Sequence, residues 1–342
     1  MPGNDMIHID GSLGEGGGQV LRTALALSLI TRRPLAITGI RARRKKPGLM
    51  RQHLAGVELA AKVGAAEVRG AVLGSQQVEF RPQTLCGGRF DASIGSAGST
   101  TLLAQTVVPA LWFADRPSEL ILGGGTHNPL APTAGFLVHC YARAIARMGL
   151  SLDVEVRRHG FFPAGGGELR VCTAPARPRP IEWHSRGELR SIAARAIVAD
   201  LADHIATREL EVVGKKLGLG SAQCTAERVT NGPGNALEIV MDCDDATEVV
   251  TAIGQRAVPA ERVAQDAVRD AKAYLRHRAP VGEHLADQLL IPLALAGGGS
   301  FRCGPPSMHA TTNARVLEAF LPVSIRFAEA GDGMWTASVE PR

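Results

Sequence analysis

Aromatic side chains are scarce in this 342-residue chain: three Trp, two Tyr and nine Phe, 4% of the total. The core is therefore expected to be aliphatic. Six cysteines (Cys86, Cys140, Cys172, Cys224, Cys243, Cys303) are scattered with no Cys-x-x-C pair, which argues against zinc and for reduced, mostly buried thiols. No apolar run reaches the roughly 18 residues that a membrane span needs. The opening Met1-Pro2-Gly3-Asn4-Asp5 lacks a basic and then apolar signal segment, so a cytoplasmic protein without a membrane partner is expected. Excess charge of one sign is small, 38 Lys plus Arg against 33 Asp plus Glu, compatible with a polyanionic partner without demonstrating one. Charged residues at 21% beside hydrophobic residues at 45% exclude a disordered chain or a coiled coil.

Several catalytic strings are missing as well. The glycine-rich stretches Gly14-Glu15-Gly16-Gly17-Gly18-Gln19 and Gly297-Gly298-Gly299 supply neither the Lys-Ser/Thr of a P-loop nor the last glycine of a dinucleotide fingerprint, where Gln19 and Arg302 stand. No Lys-x-Asp-Gly occurs; the nearest string, His8-Ile9-Asp10-Gly11, lacks the lysine. Nor is there a His-x-His cluster.

Glycine is abundant, 39 residues, and announces turns with positive φ or close backbone approach. A unit recurs three times: a Gly- or Ser-bearing loop opens an apolar helix, followed by a strand, a polar loop, a second helix and closing strands. The first copy runs from Gly14 through a helix facing inward with Leu21, Leu25, Ser28 and Leu29, the strand 35–40 and the loop 41–48. Its second helix carries Met50, Leu54, Val57 and Ala61 as an amphipathic stripe. The second copy starts at Ser96-Ala97-Gly98-Ser99, with Leu103, Val107 and Ala110 inward, and its second helix bears Leu137, Cys140, Ala144 and Met148. The third begins near Gly282 and passes through the loop 297–307 into a helix with Val316, Leu317 and Phe320.

Between copies two and three, Pro175, Pro178 and Pro180 read as a linker, and Arg278-Ala279-Pro280 marks a second boundary. The expected architecture is an α/β chain in which residues 1–182 and 279–342 form a large domain of three repeated βα units, and 183–278 form a smaller inserted α/β domain with neighbouring termini.

Three places carry candidate chemistry. Glu15 and Arg22, flanking the first glycine loop, can meet a magnesium ion and a triphosphate at a helix N-terminus. The loop after the first strand holds five basic residues in six positions (Arg41, Arg43, Arg44, Lys45, Lys46), with Gln52 and His53 just beyond; an RNA backbone is the natural ligand for such forks. His309 lies on the third copy's second loop, where the first copy places its arginines and the second His127. A neutral imidazole is nucleophilic near neutral pH, and a phosphoramidate on it passes its group onward.

These strings resemble the RNA 3'-terminal phosphate cyclases, a family related in fold to the enolpyruvyl transferases. The likeness spans essentially the whole chain. It is carried by Asp10-Gly11 with the first glycine loop, Lys46-Pro47-Gly48-Leu49 with Arg51-Gln52-His53, and Ile94-Gly95-Ser96-Ala97-Gly98-Ser99. Further matches are the run 158–167 (Arg158-His159-Gly160-Phe161-Phe162-Pro163-Ala164-Gly165-Gly166-Gly167), Asn231-Gly232-Pro233-Gly234-Asn235, Leu285-Ala286-Asp287-Gln288, Ser307 and His309.

The resemblance implies a thioredoxin-like shape for the insertion and a cytoplasmic ligase. In it, His309 attacks ATP, keeps AMP on its distal nitrogen and releases pyrophosphate. The adenylate then passes to an RNA 3'-phosphate, and the neighbouring 2'-hydroxyl closes a 2',3'-cyclic end while AMP departs. It further implies that Gln105, Pro132, His284, Leu285, Ala286, Asp287 and Gln288 hold the adenylate, and that Glu15 binds Mg2+ or Mn2+. Arg22, Arg41, Arg44 and Gln52 would touch phosphates of nucleotide and RNA. His284 stands where the relatives carry tyrosine against the adenine, and Val250 and Thr251 where an aromatic is expected. Without Cys-x-x-C the insertion is not a redox module. The resemblance leaves monomer and homodimer both open. An enolpyruvyl transferase would need two comparable lobes, and a non-catalytic ribosome-assembly relative would lack the histidine.

Overall fold

The first helix of the chain is apolar nearly all round, and such a helix has to lie inside the molecule. In the computed structural model, which describes residues 5–14 and 17–342, this helix (α1, Gly18–Thr31) is buried from Gln19 to Leu29 except at the half-buried Arg22. It packs against α2 (Arg51–Gly64), α3 (Thr100–Leu111) and α9 (Met308–Phe320). The stripe on α2 is shifted from its expected position. Met50 caps the helix and is exposed, while Val57, Leu59, Ala60 and Val63 are fully buried.

Around these helices the described residues form three units of one design. In the first, β1 (Ile7–Asp10) pairs parallel with β2 (Leu35–Thr38), which pairs antiparallel with β4 (Val78–Arg81), itself antiparallel to β3 (Glu67–Arg69). The second repeats this order: β5 (Arg89–Ser93) beside β6 (Ser118–Gly124), then β8 (Gly167–Thr173) and β7 (Asp153–Arg158). Its second helix runs from α4 (Ala134–Phe136) through a π turn (Leu137–Tyr141) into α5 (Ala142–Ala146). The third has β9 (Glu182–Trp183), α8 (Glu283–Leu295), β14 (Gly299–Cys303), α9, β15 (Val323–Gly331) and β16 (Met334–Pro341), paired in the same pattern. The chain is thus mixed α/β with threefold βαβαββ repetition.

The third copy begins earlier than its sequence pattern indicates. β9 pairs with β14, and Trp183 is buried in the large core, so the unit opens at Glu182 and not near Gly282. A two-residue strand has no periodicity to read, and its helix α8 follows about a hundred residues later.

The inserted segment builds its own sheet, β11 (Cys224–Val229), β10 (Leu189–Ala199), β12 (Gly234–Cys243) and β13 (Thr247–Ile253) in spatial order. Strand side chains alternate between faces. Leu237, Ile239 and Met241 of β12 pack under α6 (His204–Leu217) and α7 (Ala260–Leu275), against Val263, Ala264 and Ala267. Glu238 points the other way, toward the second unit, where Thr133 Oγ1 donates to its Oε1 at 3.2 Å.

Candidate active site

The N-terminus of α1 is built for an anion. Gly17 and Gly18 open it, and a Cβ on Gly18 would fall 2.4 Å from His53 Nε2 and 3.2 Å from Arg22 Nη1. Arg44 Nη2 lies 3.1 Å from where a Cβ of Gly17 would stand. The basic loop 41–46 is folded over the glycine loop: Arg43 Nη1 donates to Gly14 O at 3.1 Å, and Arg41 Nη1 closes its own loop on Lys46 O and Gly48 O at 2.5 and 3.0 Å. The N–H groups of the helix's first turn, the macrodipole and these cations lie together here.

His53 Nδ1 accepts from the Met50 N–H at 3.3 Å, which puts the ring proton on Nε2, the side facing Gly18. Burial, with Arg41 and Arg22 adding repulsion, pushes its pKa down to about 3, so the ring is a neutral donor. Burial also draws Arg22 down to about 10 against the opposing pull of Asp287, and the guanidinium stays charged at neutral pH.

His309 sits on the first turn of α9. Ser307 caps that helix, its Oγ accepting from the Ala310 N–H at 3.2 Å, and this leaves the His309 side chain at the exposed end. Its Nδ1 is 2.8 Å from Gln19 Oε1. Gln19 Nε2 in turn donates to Asp287 Oδ2 on α8 at 2.7 Å. One turn further along both helices, Thr23 Oγ1 donates to Asn313 Oδ1 and Asn313 Nδ2 to Asp287 O, each at 2.7 Å. Burial raises Asp287 to about 7, offset by Arg22 and by N–H donors that include Gln19.

Gln19, Arg22, Thr23, Gln105, Asp287, Gln288 and Asn313 share one open cleft of about 380 Å³. Gln105 Nε2 donates to Gln288 Oε1, and Gln288 Nε2 to His284 O, both at 2.5 Å. Pro132 is fixed by Thr101 Oγ1, which donates to its carbonyl at 2.6 Å one turn before Gln105. The adjacent Thr133 is 3.2 Å from Thr251 of β13, so the insertion reaches this rim. Gln52 lines a neighbouring pocket with Arg22 and His53, and its Oε1 accepts from the Ser99 N–H at 2.7 Å. His284 is exposed on the first turn of α8. Leu285 and Ala286 are 1% and 5% exposed and face the core, which leaves only their backbone to meet a ligand.

Glu15 lies outside the described residues. Among the described ones there is no group of three or more His, Cys, Asp or Glu that could hold a metal ion. One placement differs from expectation. His127 occupies the second unit's loop but is buried six residues before the helix cap Thr133, whereas His309 follows its cap by two. Its helix-level counterparts are Gln52 and Gly135. His53 is expected beside the phosphate-binding loop, whereas Gln19, Thr23 and Asn313 carry no expected role. The i, i+4 spacing of Gln19 with Thr23 and of His309 with Asn313 was the available signal.

Among the described residues, no helix is long and apolar enough to cross a membrane. The family model for RNA 3'-terminal phosphate cyclase matches residues 13–327. An RNA 3'-terminal phosphate cyclase of Ralstonia nicotianae is 47% identical over 321 residues, covering 93% of this chain and 92% of its own. That of Ectopseudomonas mendocina is 45% identical over 330 residues, 96% of each. A solved EPSP synthase of Acinetobacter baumannii aligns over all of this chain and 66% of its own at 11% identity and a TM-score of 0.30, and carries no argument. With the family model covering nearly the whole length and close relatives aligning end to end, the chain belongs to the RNA 3'-terminal phosphate cyclase family.

Proposed function

We propose that this enzyme converts an RNA 3'-phosphate end to a 2',3'-cyclic phosphodiester at the expense of ATP, through an adenylate on His309. The observation that carries the reading is the position of His309, on a helix N-terminus and 2.8 Å from Gln19, which lines a cleft together with the half-buried Arg22 and the paired amides of Gln105 and Gln288. Its imidazole attacks the α-phosphorus and pyrophosphate leaves. An oxygen of the RNA 3'-phosphate then takes the adenylyl group, and the adjacent 2'-hydroxyl attacks the activated phosphorus, expelling AMP. Ring closure of a phosphate monoester needs a good leaving group, and AMP in an anhydride is one.

Arg22, Arg41, Arg44 and Gln52 are assigned to phosphates, where fixed cations and N–H donors offset charge developing at the transferred phosphorus. Gln105, Pro132, His284, Asp287 and Gln288, with the backbone of Leu285 and Ala286, are assigned to the adenosine. The assignment of Mg2+ or Mn2+ to Glu15 rests on the family resemblance, and no step above is routed through it. Residues 1–182 with 279–342 are read as the catalytic domain and 183–278 as the inserted one, in a cytoplasmic setting that suits six free cysteines. The test is ATP labelled at the α-phosphate. An acid-labile, hydroxylamine-sensitive protein adduct that vanishes in His309→Ala, together with a phosphatase-resistant end on a 3'-phosphorylated oligoribonucleotide, is expected. Label retained by His309→Ala sinks the reading.

A further inference from the structure

We propose that Gln19, its amide group held by Asp287, is the positioning residue that fixes the tautomer of His309 and so makes Nε2 the attacking atom. The inference rests on His309 being the nucleophile, as read above. A carboxamide has two unlike ends: the oxygen only accepts hydrogen bonds and the NH2 only donates them. The NH2 of Gln19 donates to Asp287 Oδ2 at 2.7 Å, leaving the amide oxygen on the other side. That anchor turns the Gln19 oxygen toward His309, 2.8 Å from Nδ1. Facing an obligate acceptor, Nδ1 must carry the proton, and in the neutral ring the lone pair is then on Nε2.

The frame behind Gln19 is stiff. Gln19 is 8% exposed, inside the helix that the core surrounds most completely. Thr23 and Asn313 join α1, α9 and the Asp287 carbonyl a single turn deeper, so the two helices are tied at two successive levels. The His309 ring is therefore steered by α1 and α8 as well as by its own helix.

The proton position matters for both halves of the transfer. As the Nε2 lone pair forms the N–P bond, the bond from the α-phosphorus to the bridging oxygen breaks and pyrophosphate leaves with that electron pair. The ring keeps its Nδ1 proton and gains positive charge, which strengthens the hydrogen bond to Gln19 as the reaction proceeds. When an oxygen of the RNA phosphate attacks, the N–P pair returns to a ring still protonated on Nδ1, and neutral imidazole departs. With the opposite tautomer, the proton would sit on the nitrogen that has to attack.

The test pairs Gln19→Met, which keeps the length and removes both hydrogen bonds, with Gln19→Glu, which keeps an acceptor toward His309. In full-length protein labelled with 15N-histidine, the His309 signals are identified by their loss in His309→Ala. Wild type and Gln19→Glu should show a protonated Nδ1 and a bare Nε2, and Gln19→Met should move the proton toward Nε2. The rate of adduct formation should fall about 10–100-fold in Gln19→Met, the weight of one hydrogen bond to a charged group, with KM for ATP little changed. A Gln19→Met enzyme that adenylylates at the wild-type rate, or a ring protonation indifferent to residue 19, overturns the proposal. Should Gln19→Met misfold, Gln19→Glu decides alone: a His309 protonated on Nε2 in that variant overturns it. The ring signals need no ATP, so a failure of the adenylate reading, label surviving in His309→Ala, is seen separately.

Discussion

Glu238 should be the carboxylate whose loss costs most stability. It is fully buried where the inserted sheet meets the second unit, its Oε2 taking a hydrogen bond from Arg195 Nη2 at 2.7 Å and its Oε1 one from Thr133. His127 Nε2 stands 3.7 Å from Oε1. Burial by itself raises such a pKa, yet His127 and Arg195 outweigh it and hold Glu238 at about 2 against an ordinary 4.5. That displacement corresponds to about 3 kcal/mol favouring the folded state. Arg195 keeps Glu227, 3.1 Å from its Nη1, when Glu238 is removed, so the cost is that of Glu238's own interactions. Glu238→Ala should therefore lose about 3 kcal/mol in urea unfolding followed by circular dichroism, and less than about 1 kcal/mol in an Arg195→Met background. The depressed pKa makes this stabilisation complete above pH 4.5 and lost as pH falls toward 2, so the gap between wild type and Glu238→Gln should narrow over that window. A gap unchanged from pH 7 to pH 3, or an equal loss in both backgrounds, refutes the reasoning.

Glu248 runs the opposite way: burial lifts it to about 8 against the N–H groups of Val249 and Gly282, so the folded protein keeps a proton that the unfolded chain releases. Wild type should lose stability relative to Glu248→Gln as pH rises from 4.5 to 8, by up to about 4 kcal/mol, and parallel urea curves across that range would contradict this. Gly18→Ala drives a methyl to 2.4 Å from His53 Nε2; adduct formation should drop about tenfold or more while thermal unfolding stays put, and a fully active variant would discount the anion cradle. If Arg41, Arg43, Arg44 and their lysine neighbours grip an RNA backbone, cyclisation of long RNA should weaken with salt more steeply than self-adenylylation, and equal slopes would argue against that contact.

Helices were legible where apolar residues recur at helical spacing, as in α7, where Val263, Ala267 and Ala271 face inward as their spacing requires. Short strands were not: β3 has three residues and β9 two, below one full alternation, and only their partners β4 and β14 define them. Arg22, Gln105, Asp287 and Gln288 come from strings far apart and fold into one cleft. Gln19 escaped notice because an amide inside an apolar helix looks incidental until its partners, 268 and 290 residues away, are known.

Threefold repetition also explains why only one copy carries the proposed nucleophile. The second residue of the second helix is Gln52, Gly135 and His309 in turn. In the first unit that side chain is turned away to receive the Ser99 N–H, bracing the loop of the next unit. In the second it is absent, and it has to be: a Cβ on Gly135 would lie 2.2 Å from Glu238 Oε1, because the insertion fills that helix end with its own buried carboxylate. A carboxylate there meets the N-terminal dipole that elsewhere could meet a phosphate. In the third unit the same position is exposed, and α1 supplies an acceptor to its ring from Gln19, which lines the cleft together with Arg22. The insertion's contact with the second unit and the proposed site at His309 are thus two uses of one recurring helix end, and the seating of Glu238 depends on the second unit carrying glycine where the third carries His309.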